Sequence, residues 1–155
     1  MLEMPDSVAR FLRGKRLVVA GVSRDKNQAA NAVYRKLRTC GYEVSAVNPN
    51  ATEVEGERCF RDIASIPGSI DGVFAATHPR VGLDLVRQCD ERGIRQLWFH
   101  RSFGQGSVSK EAVLDCKARG IECIVGGCPM MYCQPVDPAH RCIRSWLRLF
   151  GRVPG

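Results

Sequence analysis

No stretch of this chain stays apolar long enough to cross a bilayer. The longest runs, such as Leu17 to Val22 and Val73 to Ala76, fall far short of the roughly 18 to 20 residues a membrane helix requires. The beginning of the chain lacks the basic start, apolar centre and small-residue cleavage site of a secretory leader, and carries Glu3 and Asp6 instead. A cytoplasmic protein is therefore expected. Closely paired cysteines are missing as well. Cys40, Cys59, Cys89, Cys116, Cys123, Cys128, Cys133 and Cys142 form no Cys-x2-Cys unit, although Cys123, Cys128 and Cys133 recur every five residues. Free thiols are expected rather than a zinc site or a disulfide framework. Low-complexity stretches and internal repeats are absent, and lysine is scarce, with five against 18 arginines.

What is present is the composition of an ordinary globular protein: 155 residues, 45% hydrophobic and 25% charged. That length suits one domain, residues 1–155, with its core over 15–131. The net charge of +7 points to an anionic partner. Outside the last residues, however, the basic side chains alternate with acids at helical spacing, and no aromatic-basic signature of an RNA-binding sheet occurs. Nucleic acid is not the expected partner.

The hydrophobic pattern alternates between two periods. Arg16 to Ala20 (RLVVA) is a short β-branched run closed by Gly21, the pattern of a strand buried on both faces. Gln28 to Cys40 keeps a helical period and stops at Gly41. The alternation continues with strands at Glu43 to Val47, Gly72 to Ala76, Gln96 to Phe99 and Glu122 to Val125, and with helices at Pro79 to Arg92 and Ser109 to Arg119. A short first helix is expected at Asp6 to Leu12, capped by Asp6 or Ser7. The fold class is α/β: a three-layer, Rossmann-like parallel sheet of five strands in the order 3-2-1-4-5, with helices on both faces.

Such sheets bind ligands outside the carboxyl ends of their strands. Gly21, Val22, Ser23 and Arg24 follow the first strand and precede a helix, where free amides can hold a phosphate; the same loop also reads as a plain structural turn. It is not the dinucleotide fingerprint, because Ser23 replaces the second glycine. Asn48 stands where nicotinamide enzymes place the acid that holds a ribose. Its neutrality suits a ligand with extra phosphate nearby, and Pro49 offers a flat surface for adenine, or the pair simply ends a strand. His78 sits at a strand end but also fits as a cap for the helix begun by Pro79.

The ordered motifs VVAGVSR, GYEVSAVNPN, VEG, ASIPGSIDGVFAATHP, RGIRQLWF and ARGIECIVGGCPMM, from about Lys15 to Met131, resemble the small CoA-binding protein family. Its relatives include the nucleotide-binding domain of the succinyl-CoA synthetase α subunit. The resemblance implies coenzyme A or acyl-CoA as ligand. It implies that Gly21, Val22, Ser23 and Arg24 line the diphosphate, that Val47, Asn48 and Pro49 flank the adenosine, and that Thr77 and Pro79 border the pantetheine channel. Phe99 and His100 match a further strand end of the family, but the run His100-Arg101-Ser102-Phe103-Gly104 departs from its pattern. Cys128 matches the family's Cys-Pro, near the thiol of the cofactor. At a helix start its own thiol is expected to be acidified, or else to be a small buried hydrophobe.

A CoA-binding protein without a complete active site is expected, one that senses, stores or delivers CoA. The other readings are a nicotinamide-dependent oxidoreductase, a Cys128-dependent thiol enzyme, or an interaction module using the arginine-rich end. That end, His140 to Val153, with a helix over about 139–150, places Ile143, Trp146, Leu147 and Phe150 on one face and Arg141, Arg144, Arg148 and Arg152 along the other. It reads as a helix packed on its own domain or on the second copy of a homodimer.

Overall fold

The apolar run Arg16–Ala20 becomes β1, the inner strand of a sheet in the computed structural model, which describes residues 3–101 and 105–154. The other strands are β2 (Glu43–Val47), β3 (Glu53–Val54), β4 (Glu57–Phe60), β5 (Gly72–Ala75), β6 (Gln96–Phe99) and β7 (Glu122–Val125). The helices are α1 (Asp6–Arg13), α2 (Ala29–Thr39), α3 (Gly82–Glu91), α4 (Lys110–Ala118) and α5 (Pro138–Leu149). The sheet runs β3-β4-β2-β1-β5-β6-β7, parallel throughout except for the β3-β4 hairpin.

All five expected strands form, but their number and order need correction. β5, expected beyond β2, pairs with β1 on its opposite side, with Val18 beside Val73. The place beyond β2 is taken by β4, where Val47 lies beside Phe60. Sequence pattern missed β4 because ERCF buries only Cys59; a strand of four residues with two exposed charges has no apolar period to detect.

Alternation along β1 divides the core. Leu17 and Val19 join the layer formed with α1 and α2, while Val18 and Ala20 join the layer formed with α3 and α4. Trp98 on β6 anchors the first layer. It is fully buried, edge-on to Phe11 at 5.3 Å and to Phe74 at 5.8 Å, and its indole Nε1 donates to the Gly126 carbonyl at 2.8 Å.

Two terminal expectations change. Pro5, not Asp6 or Ser7, occupies the cap position of α1 and makes no side-chain bond there. In α5 only Leu147 is fully buried, while Trp146 and Phe150, expected on its apolar face, are 49% and 59% exposed, their rings meeting at a tilt with centroids 4.6 Å apart. Among the described residues no helix is long and apolar enough to cross a membrane.

Candidate functional site

The carboxyl ends of β1, β2 and β5 enclose a cavity of about 670 Å³ whose lining includes Gly21, Val47, Asn48, Pro49 and Thr77. These five sequence-predicted residues are therefore brought together where the sheet topology places a ligand crevice. A second hollow, of about 820 Å³, lies beyond Pro49 and Asn50 and is lined by Arg24, Arg58, Phe60 and Arg61. Pro49, Asn50 and Arg61 belong to both linings, so the two hollows adjoin. Every lining residue of the two falls between positions 20 and 91.

Each strand end is shaped by a specific device. Gly21 turns the chain at φ 100°, and its amide donates to the Val47 carbonyl at 2.9 Å. Asn48 works in two directions. Its Nδ2 donates to the Val22 carbonyl at 2.9 Å, and its Oδ1 accepts the Asn50 amide at 2.9 Å. An aspartate could not make the first bond, which is a local reason for asparagine at this strand end. Thr77 lines the cavity with a buried hydroxyl that has no hydrogen-bond partner among the described residues. A buried orphan of this kind is costly unless something arrives to satisfy it.

The neighbouring hollow is basic. Arg24 and Arg58 make no ion pair with the described residues; the Arg58 guanidinium lies 4.7 Å from the centre of the Phe60 ring. Arg61 has a 3.7 Å contact with Asp62, and Glu53 is the one acid on this lining. Arg58 and Arg61 were not foreseen, because they sit on and just after the unrecognised strand β4.

Other predicted residues lie elsewhere. The Val22 side chain is fully buried in the core, which leaves only its backbone to face a ligand, and Phe99 is buried between the sheet and α3 and α4. Pro79 starts a 3-10 turn, Pro79–Val81, capped by His78, whose Nδ1 accepts the Arg80 amide at 3.2 Å; His78 lines the cavity but Pro79 does not. His100 is half-buried with its ring edge-on to Phe74, burial pushes its pKa down, and it lies outside both hollows. The departing loop positions Ser102, Phe103 and Gly104 lie outside the described residues.

Cys128 needs the plainest correction. The Met130 and Met131 amides do point at its sulfur, as expected of a helix start, but the residue is 4% exposed in the core and burial pushes the thiol up to about 12. It lines neither hollow. A thiol reagent applied to the native protein is expected to modify the exposed Cys142 first and Cys128 only on unfolding, which peptide mass spectrometry checks directly.

Against this geometry, a family model for the CoA binding domain matches residues 15–134. The chain belongs to the CoA binding domain family. The matched span covers the motifs from Lys15 to Met131 on which the resemblance rested. This CoA binding domain is 28% identical over 118 residues to an uncharacterized protein of Bacillus subtilis, across 75% of the chain and 83% of the relative. It is 24% identical over 86 residues to the α subunit of an ADP-forming acetate–CoA ligase II of Pyrococcus furiosus. That match covers 55% of this chain but only 19% of the subunit. Among solved structures, a hypothetical protein of Pyrococcus horikoshii has a TM-score of 0.73 at 24% identity, covering 97% of this chain and 100% of its own, a likeness of fold.

Proposed function

We propose that this domain binds CoA or acyl-CoA across the two adjoining hollows, and that it holds the cofactor rather than transforming it. The observation that carries the reading is the joining of a partly apolar cavity, with its orphaned Thr77 hydroxyl, to a hollow lined by Arg24, Arg58 and Arg61. CoA has matching parts. Its phosphates suit the guanidinium groups, which form charge-assisted and often bidentate bonds to phosphate. Its pantetheine arm suits a channel lined by Val81 and Leu85, with the Thr77 hydroxyl meeting one of its amides. Pro49, exposed at the junction, offers an apolar face to adenine. Gly21 and Ser23 shape the turn at this edge.

The nicotinamide reading is weaker, since Asn48 spends its amide on the Val22 carbonyl and no acid ends β2. The thiol-enzyme reading loses its nucleophile with the burial of Cys128. A binding module of this kind would sense, store or deliver CoA.

CoA is expected to raise the melting temperature in a dose-dependent way. A ligand selective for the folded state adds about 2.7 kcal/mol at a hundredfold excess over Kd, which is roughly 5 to 11 °C for a protein of this size. Dephospho-CoA should do less, and NAD least. Equal or greater stabilisation by NAD at matched concentrations would overturn the proposal.

A further inference from the structure

The β3-β4 hairpin turns at Glu55 and Gly56, both with positive φ, 54° and 76°. A two-residue turn of this kind favours asparagine or aspartate followed by glycine. Glutamate is a poor choice there, because a side chain other than glycine's is strained in the left-handed region. Strain held at one position raises the question of what the side chain does.

The Glu55 side chain is only 9% exposed, and its Oε1 accepts two hydrogen bonds: from Asn31 Nδ2 at 2.8 Å and from Arg35 at 2.6 Å. Each donor also holds the loop that follows β1. Asn31, fully buried, grips the Ser23 peptide on both sides, accepting its amide at 3.0 Å and donating to its carbonyl at 2.7 Å. Arg35 donates to the Lys26 carbonyl at 3.1 Å. One carboxylate oxygen thus fixes, through two helix side chains, both ends of the segment 23–26. Asn31 and Arg35 in turn hold the Glu55 carboxyl below its ordinary range, so it is ionised at neutral pH.

We infer that Glu55 is a positioning residue for ligand binding: through Asn31 and Arg35 it sets the backbone of Ser23 to Lys26 and so fixes where Arg24 stands at the rim of the basic hollow. This rests on the CoA reading above for its ligand, but the clamp itself does not require it. The hairpin that carries Glu55 also carries Arg58, so the clamp ties two cationic walls of one hollow into a single rigid piece.

A purely structural role and a positioning role separate at one variant. Glu55→Gly relieves the backbone and should favour the turn, yet it removes the carboxylate; Glu55→Ala removes the carboxylate and keeps the strain. Glu55→Gln keeps an acceptor oxygen without the charge. Measured by titration calorimetry with CoA, the Gly and Ala variants are both expected to bind about tenfold more weakly than the parent, and Gln to fall between, because two charge-assisted bonds are lost or weakened. In ligand-free protein, hydrogen exchange over residues 23–28 should quicken in the Gly and Ala variants while circular dichroism and the melting temperature show a folded chain. CoA affinity and loop exchange in Glu55→Gly equal to the parent's would overturn the inference. If the parent itself fails to bind CoA, the functional proposal falls, and the exchange comparison alone decides whether the clamp exists.

Discussion

Replacing Gly21 with valine is expected to unfold the protein or leave it barely folded. A Cβ at this position would lie 2.3 Å from the Ala76 carbonyl oxygen and 2.9 Å from its carbon, both of them backbone atoms at the end of a central strand. Neither can rotate aside as a flexible side chain would. The φ of 100° adds a conformational penalty for any residue with a Cβ. Overpacking and backbone strain together should cost about 4 kcal/mol, a large share of the roughly 5 to 15 kcal/mol that holds a domain together. Alanine should act in the same direction, because the clash begins at Cβ. Urea denaturation followed by circular dichroism measures the effect. A valine variant that unfolds at the parent's midpoint would mean that β1 and β5 do not meet in this way. The family resemblance put Gly21 beside a diphosphate; Gly21 does line the cavity, with the Ala76 carbonyl on the side a Cβ would take.

Asn48→Asp is expected to be the more informative lesion, because it harms fold and ligand binding through one atom. The Val22 carbonyl loses its donor and faces a carboxylate oxygen across about the same 2.9 Å gap. Leaving a buried acceptor unpaired beside a charge should cost about 3 kcal/mol at neutral pH. The new charge also lines the cavity proposed to hold part of a polyanion, one residue before the junction at Pro49 and Asn50, so CoA affinity should fall by about a hundredfold. The sign of the pH effect follows from the lost donor. Once protonated, the introduced carboxyl can donate to the Val22 carbonyl, so the folded state raises its pKa above the unfolded value. The penalty is then smallest below the unfolded pKa and grows as pH rises through the folded one. Denaturation midpoints and CoA titrations of parent and variant at pH 4 and pH 7 measure both effects. A variant as stable as the parent at both values would show that the Asn48 bond to Val22 carries no weight.

These two positions also show how far the sequence was legible. The strands whose side chains are buried on both faces, β1, β5 and β6, announced themselves as continuous apolar runs, and each helix end fell near a glycine. Gly21, Asn48, Pro49 and Thr77 were picked out because strand ends can be found from such runs. Two kinds of residue were hidden. Arg58 and Arg61 lie on or beside a short strand with one buried position, which no periodicity reveals. Asn31 and Glu55 act through partners 8 and 24 residues away, and only tertiary packing joins them. Cys128 was placed correctly after the last strand, but its depth comes from the buried cluster it shares with Phe11, Tyr34, Tyr132 and Leu147, which local pattern does not encode.

The confinement of both hollows to positions 20 through 91 divides the chain into two kinds of inheritance. If these hollows hold the proposed ligand, changes in the first part act on it directly. Those in β6, α4, β7 and α5 reach it only through the amount of protein that remains folded. A selection for altered ligand choice would therefore accumulate its changes before α3 ends, whereas one for heat resistance would draw on the later segments without disturbing what the protein holds.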